Sequence, residues 1–176
     1  NLMLETLKEL LAELSVAEEI TLSSHNEKLV GIPDCVANGR TGAWLTSDNR
    51  LNGKLWTHQA KAIEQINAGN NVVVNTGTAS GKSLIYQSSA IMNLDQNPDC
   101  RIAVFYPLKA LVSDQLKSWK EVMTKAGLPS NIVAKIDGDI PPDEREEALK
   151  TARVVLFTPD VLHAWLMRNV SLEVCR

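Results

Sequence analysis

Val72-Val73-Val74-Asn75-Thr76-Gly77-Thr78-Ala79-Ser80-Gly81-Lys82-Ser83 is the stretch whose reading decides the rest of the chain. Three consecutive valines predict a short buried strand. Small residues follow from Thr76 to Gly81, and a helix is predicted from Gly81 to Leu94. In that setting the backbone N–H groups of Gly77, Thr78, Ala79, Ser80, Gly81 and Lys82 can curl around phosphate oxygens, and the helix N-terminus adds partial positive charge. Lys82 is placed to reach β- and γ-phosphates, and the Ser83 hydroxyl suits a Mg²⁺ ion. The general phosphate-loop pattern has Gly where Thr76 stands, with Gly77 one place late. The competing reading is a Gly/Ser-rich turn with an incidental lysine. The strand on one side and the helix on the other argue against it.

Upstream, Leu55-Trp56-Thr57-His58-Gln59 leads into a helix predicted over Thr57 to Asn67. A Gln at such a helix start can present its amide to a purine edge. His58 reads as a packing or polar surface residue rather than a general base. Trp44 or Trp56 is suited to stack on a base, and each suits a core position as well.

Downstream, strands are predicted over Arg101 to Tyr106, Ile132 to Ile136 and Arg153 to Phe157. Helices are predicted over Lys109 to Lys125, Pro141 to Ala152 and Asp160 to Met167. With the valine strand, this makes four apolar strands separated by helices: an α/β fold with a parallel sheet covered on both faces. Ligands on such sheets bind at the carboxyl edge. Pro107 and Lys109 stand at the end of one strand, and Thr158, Pro159 and Asp160 at the end of another. A hydroxyl and a helix N-terminus there suit a backbone phosphate. Gly138-Asp139 is a weaker candidate at a third strand end. Each is equally readable as an ordinary capping turn.

The 176 residues suffice for one domain with some N-terminal decoration. Hydrophobic residues at 44% and charged residues at 22% are ordinary for a globular chain and exclude wholesale disorder. No apolar run approaches the roughly 20 residues that cross a bilayer, and no signal peptide is legible. Three distant cysteines make a disulfide scaffold unexpected and point to an intracellular, reducing compartment. A net charge of −3 excludes nucleic-acid binding through bulk positive charge but permits a local phosphate track. Leu4, Leu7, Leu11 and Leu14 predict an amphipathic helix over Leu2 to Glu18. From Thr21 to Lys54, loop formers predict an irregular connector with two short ordered pieces at most. The absence of a leading Met, and a stop at Arg176, suggest part of a longer polypeptide.

In order and spacing, these motifs resemble the first RecA-like domain of superfamily 2 helicases. His58-Gln59 resembles the Q motif, Thr76 to Ser83 motif I, Tyr106 to Leu111 motif Ia, and Thr158-Pro159-Asp160 motif Ib. The wording is nearest to the MrfA/YprA-type branch of DNA helicases. The resemblance covers Leu55 to Leu166, which makes 55–176 a RecA-like, P-loop domain and 1–54 an N-terminal helix and connector. It implies ATP and Mg²⁺ as cofactors, held by Gln59 and the Thr76–Ser83 loop, with Lys82 and Ser83 in catalytic roles. It implies a nucleic-acid partner, DNA ahead of RNA, held through Pro107, Lys109, Thr158, Pro159 and Asp160. It implies a second RecA-like domain in the same longer chain, and no membrane. The family's Asp-Glu-x-His strand does not occur here: Asp143-Glu144 follows Ile140-Pro141-Pro142 and reads as a solvated helix start. The chain alone is therefore expected to hold about half of an ATPase site and to be inactive by itself. The alternatives are a P-loop kinase or signalling NTPase, with Asp160 as the acid on the Mg²⁺ side, and a nucleotide-binding pseudo-enzyme scaffold.

Overall fold

Val154-Val155-Leu156-Phe157 is buried at all four positions, as a strand with neighbours on both sides and helices above and below must be. The computed structural model describes residues 28–77, 80–138 and 140–161. In it, β5 (Val154–Phe157) is the middle of a parallel sheet between β3 (Ile102–Phe105) and β4 (Val133–Ile136). Phe105 and Ile136 both pair with Phe157, so the carboxyl ends of all three strands lie on one line. Alternate residues of β5 face opposite sides. Val154 and Leu156 join the main core with Ile63, Ile91, Trp119 and Met123. Val155 and Phe157 join a smaller core with Ile136 and Ala152.

The helices follow their sequence signals. These are α3 (Thr57–Asn67), α4 (Lys82–Gln96), α5 (Lys109–Lys125) and α6 (Pro142–Thr151). On α5, Val112, Trp119, Val122 and Met123 form the buried stripe. On α6, Asp143 and Glu144 occupy the first turn, where the macrodipole favours acids, and both are exposed. A short 3-10 turn (Ser130–Ile132) precedes β4.

Two expectations need correction. Val72–Val74 is not a strand of this sheet: among the described residues it joins no ladder. Val72 and Val74 pack against the main core while Val73 is 82% exposed. The valine pattern reports burial of alternate side chains, but a strand also needs a paired backbone. Among the described residues the sheet thus has three parallel strands rather than four.

The second correction concerns the connector, which is more ordered than expected. β1 (Leu29–Gly31) pairs antiparallel with β2 (Lys54–Trp56), and α1 (Asp34–Ala37) and α2 (Arg40–Ser47) lie between them. Each element is too short to show a period, and Pro33 and Gly39 at the helix starts read as loop formers. Trp44 and Leu45 enter the main core. Arg40 fastens α2 down, with Nη1 donating to the Gly127 carbonyl at 2.7 Å and Nε to Asp95 Oδ1 at 3.0 Å. The N-terminal amphipathic helix and most of the helix expected after Asp160 lie outside the described residues; residues 159–161 are helical. No helix among the described residues is long and apolar enough to cross a membrane.

Asp48, at the end of α2, is a second fastening. Its buried carboxylate accepts from Arg50 Nε at 3.0 Å and Nη2 at 2.8 Å, with Lys125 Nζ of α5 at 3.7 Å. The Arg50 hydrogen bonds hold its carboxyl down at about 2. A folded value below the ordinary carboxylate value of about 3.9 stabilises the fold above that pH and loses the effect as pH falls. Asp48→Asn therefore lowers the thermal midpoint at neutral pH, and the gap to wild type closes between about pH 4 and pH 2. A gap that persists at the acid end contradicts this role.

Candidate functional site

Gly81 opens α4 with φ 75° and ψ 26°, left-handed values that a side chain disfavours. The turn aims Lys82, the first residue of α4, back over the loop. Lys82 Nζ donates to the carbonyls of Thr76 at 2.8 Å and Gly77 at 2.7 Å. Thr76 Oγ1 and Ser80 Oγ lie 2.6 Å apart and close the loop across its base. Thr76, the departure from the general pattern, thus uses its hydroxyl as a latch. Ser83 is the second residue of α4 and half-buried. Thr78 and Ala79 lie outside the described residues. A curled loop, a helix N-terminus and an ammonium group at its mouth suit a polyphosphate, and a hydroxyl beside them suits its metal ion.

The loop is held from the side by α3. Gln59 is 3% exposed; its Oε1 accepts from the Trp56 N–H at 2.9 Å, and its Nε2 donates to the Gly81 carbonyl at 3.2 Å. A Cβ at Gly81 would collide with Gln59 Nε2, so glycine is required there on two counts. Nε2 also donates to the Ser80 carbonyl at 3.4 Å, so both its N–H groups meet loop carbonyls, while Oε1 retains one further accepting position. His58 Nε2 donates to the Ser80 carbonyl at 3.1 Å, a second clamp on the same turn that residue types alone did not reveal. Of the two tryptophans considered for a base, Trp44 is 2% exposed in the core, whereas Trp56 is 44% exposed beside Gln59.

The other candidate residues converge on the carboxyl edge of the sheet. Pro107 follows β3, and Lys109 opens α5; both are exposed. Thr158 follows β5 and is 3% exposed, while Pro159 and Asp160 are exposed. The loop after β4 lies beside them: a Cβ on Gly138 would stand 3.4 Å from Lys109 Nζ. Arg145 braces that loop from α6, donating to the carbonyls of Ile140 at 2.6 Å and Gly138 at 3.1 Å. Lys135 Nζ pairs with the buried Asp137 at 2.7 Å. Only the Gly138 turn was visible in the sequence; its arginine brace depends on folding.

Comparison with known proteins agrees with this arrangement. The profile of the DEAD/DEAH box helicase family matches residues 56–175. The ATP-dependent helicase HRQ1 of Saccharomyces cerevisiae is 40% identical over 115 residues, covering 65% of this chain and 11% of that protein. The uncharacterized ATP-dependent helicase YprA of Bacillus subtilis is 32% identical over 114 residues, covering 65% of this chain and 15% of that protein. The crystal structure of the DUF1998 helicase MrfA bound to DNA and AMPPNP superposes with a TM-score of 0.70 at 28% identity, over 91% of this chain and 22% of that one. The chain thus spans a minor part of each protein it matches. A family match that begins at Trp56 and runs through the Thr76–Ser83 loop and the three strand ends settles the kinship: the chain belongs to the DEAD/DEAH box helicase family, and its α/β fold is that of a helicase RecA-like domain.

Proposed function

We propose that this chain is the N-terminal part of an ATP-dependent nucleic-acid helicase or translocase, with residues 55–176 as its first RecA-like unit and 1–54 as an N-terminal helix and connector. The observation that carries the reading is the setting of Lys82, an ammonium held at the mouth of a latched loop ahead of a helix N-terminus. ATP would lie against residues 76–83, with Lys82 moving from the loop carbonyls to the β- and γ-phosphates. Ser83 would hold Mg²⁺, which when bound supplies positive charge to the phosphates. Gln59 would meet the adenine edge with its amide, Nε2 giving up a loop carbonyl to do so, and exposed Trp56 is the tryptophan available to stack. Pro107, Lys109 and the Thr158–Asp160 turn would grip the backbone of one strand. DNA is preferred over RNA because the similar MrfA was solved with DNA.

A second RecA-like domain of the longer protein would complete phosphoryl transfer, which depends on charge stabilisation from several directions. This chain's residues bind and orient; closure of the second domain would exclude water, and reopening after hydrolysis would advance the strand.

Lys82→Ala in the full-length protein removes a charge-assisted contact of about 1.5–3 kcal/mol. ATP titration is expected to show the loss while the thermal midpoint stays near wild type; unchanged ATP affinity refutes the phosphate-loop assignment.

Gln59→Glu replaces the amide donor with a carboxylate, and about 1–3 kcal/mol of base discrimination rests on such a bidentate contact. Competition binding should show weaker ATP affinity without a switch to GTP. A wild type that binds both nucleotides equally removes Gln59 from base reading.

Lys109→Ala and Thr158→Val should weaken strand binding equally across sequences while sparing ATP binding. Lys109→Ala should also flatten the dependence of log affinity on log salt by about 1. Thr158→Val is the stricter test, because that side chain is 3% exposed. A sequence-specific loss, or none, returns both turns to simple capping.

A further inference from the structure

The turn that follows β4 runs from Asp137 to Ile140, with Gly138 exposed at the carboxyl edge of the sheet. A glycine in a turn leaves the backbone many conformations. Here polar contacts hold that turn from both ends. The Ile140 N–H donates to the Asp137 carbonyl at 3.5 Å. Asp137 is 5% exposed, and its Oδ2 meets Lys135 Nζ at 2.7 Å. Lys135 Nζ also donates to Ser113 Oγ of α5 at 3.3 Å. From α6, Arg145 sends Nε to the Ile140 carbonyl at 2.6 Å and Nη2 to the Gly138 carbonyl at 3.1 Å.

Arg145 is the fourth residue of α6, at a helix end where the macrodipole favours acids and gives a cation no benefit. A helical Cβ tilts toward the helix N-terminus, so the Arg145 side chain reaches back past the helix start to the turn. The guanidinium is a rigid planar fork, and two of its donors span the two carbonyls. Those contacts fix the Gly138 backbone, and Gly138 lies against Lys109. A Cβ on Gly138 would stand 3.4 Å from Lys109 Nζ and 3.9 Å from Cε. The bare glycine is therefore a floor for the lysine ammonium. A lysine carries its charge on a flexible four-carbon stem, and much rotamer freedom is lost when the ammonium is held in one place. A floor already in position lowers that cost before a ligand arrives.

We propose that Arg145 is a positioning residue for the nucleic-acid strand: by forking to the Gly138 and Ile140 carbonyls it fixes the turn on which the Lys109 ammonium rests, and so sets where Lys109 meets a backbone phosphate. The proposal rests on the strand-binding reading of Lys109 given above. Arg145 itself touches no strand and acts through Lys109.

The experiment titrates a labelled single-stranded DNA oligonucleotide with the full-length protein at several salt concentrations, and records thermal midpoints. Arg145→Gln is expected to weaken binding about fivefold, within the span of interaction energies between neighbouring groups. Arg145→Lys keeps the charge without the planar fork and is expected to recover only a minor part of the loss. In a Lys109→Ala background, Arg145→Gln is expected to add no further loss. Full affinity in Arg145→Lys overturns the proposal, since charge alone then acts. An equal loss in both backgrounds also overturns it. With a salt slope lower by about 1, Arg145 is then a phosphate contact in its own right. With a lower thermal midpoint, it only supports the fold. Unchanged binding by Arg145→Gln, beside a loss in Lys109→Ala, overturns the proposal and leaves the functional reading standing. A wild type that binds no single strand, or a Lys109→Ala protein that binds as wild type does, overturns the reading of Lys109, and the proposal falls with it.

Discussion

The turn at Gly81 is the constraint on which the site depends. A left-handed residue there lets the chain leave the loop and enter α4 with the first N–H groups facing the loop. The absence of a side chain lets the Gln59 amide come in against the same backbone. One residue thus joins three parts: the loop, the start of α4 and the start of α3. With a Cβ at that position, the Gln59 clamp and the path of the turn are lost together. Lys82 can meet the Thr76 and Gly77 carbonyls only because this turn folds its side chain back.

The second organising feature is the common line of strand ends. Parallel pairing of β3, β5 and β4 puts three connections on one edge, although they are far apart in the chain. Each connection brings a different kind of group: Lys109, the Gly138 backbone, or the Thr158 turn. A chain of net charge −3 therefore presents a cation and helix starts at one edge without being basic overall. The charge that matters for a phosphate backbone is local. Inside the molecule, the hydroxyl of Tyr86 on α4 lies 3.2 Å from that of Tyr106, just after β3, which also accepts from Trp119 Nε1–H of α5 at 3.0 Å.

Much of this was legible because local order encodes it. The loop reads from its run of small residues before Gly81-Lys82-Ser83, since the crowding that demands them is local. α3 and α5 read from their periods, with bounds that match those expected from Thr57 to Asn67 and from Lys109 to Lys125. β3, β4 and β5 read as apolar runs bounded by turn residues. The residues proposed for nucleic acid read from their positions at strand ends.

Other features were not legible, because they depend on which distant residues meet. Val72–Val74 has a strand's composition, yet composition does not say whether a partner backbone lies beside it. Trp44 and Trp56 were equivalent as letters; packing of α2 buried the first, and the β1–β2 pair left the second 44% exposed. β1, α1 and α2 are too short for periodicity, and their order comes from docking onto α4 and α5 through Arg40 and Trp44. What the sequence alone determined was the loop, the helices and the strand ends, each set by neighbours along the chain. What only the tertiary structure decided was the clamp of Gln59 and His58, the convergence of three turns and the meeting of Tyr86 with Tyr106, because each joins groups that come together only once the core has closed.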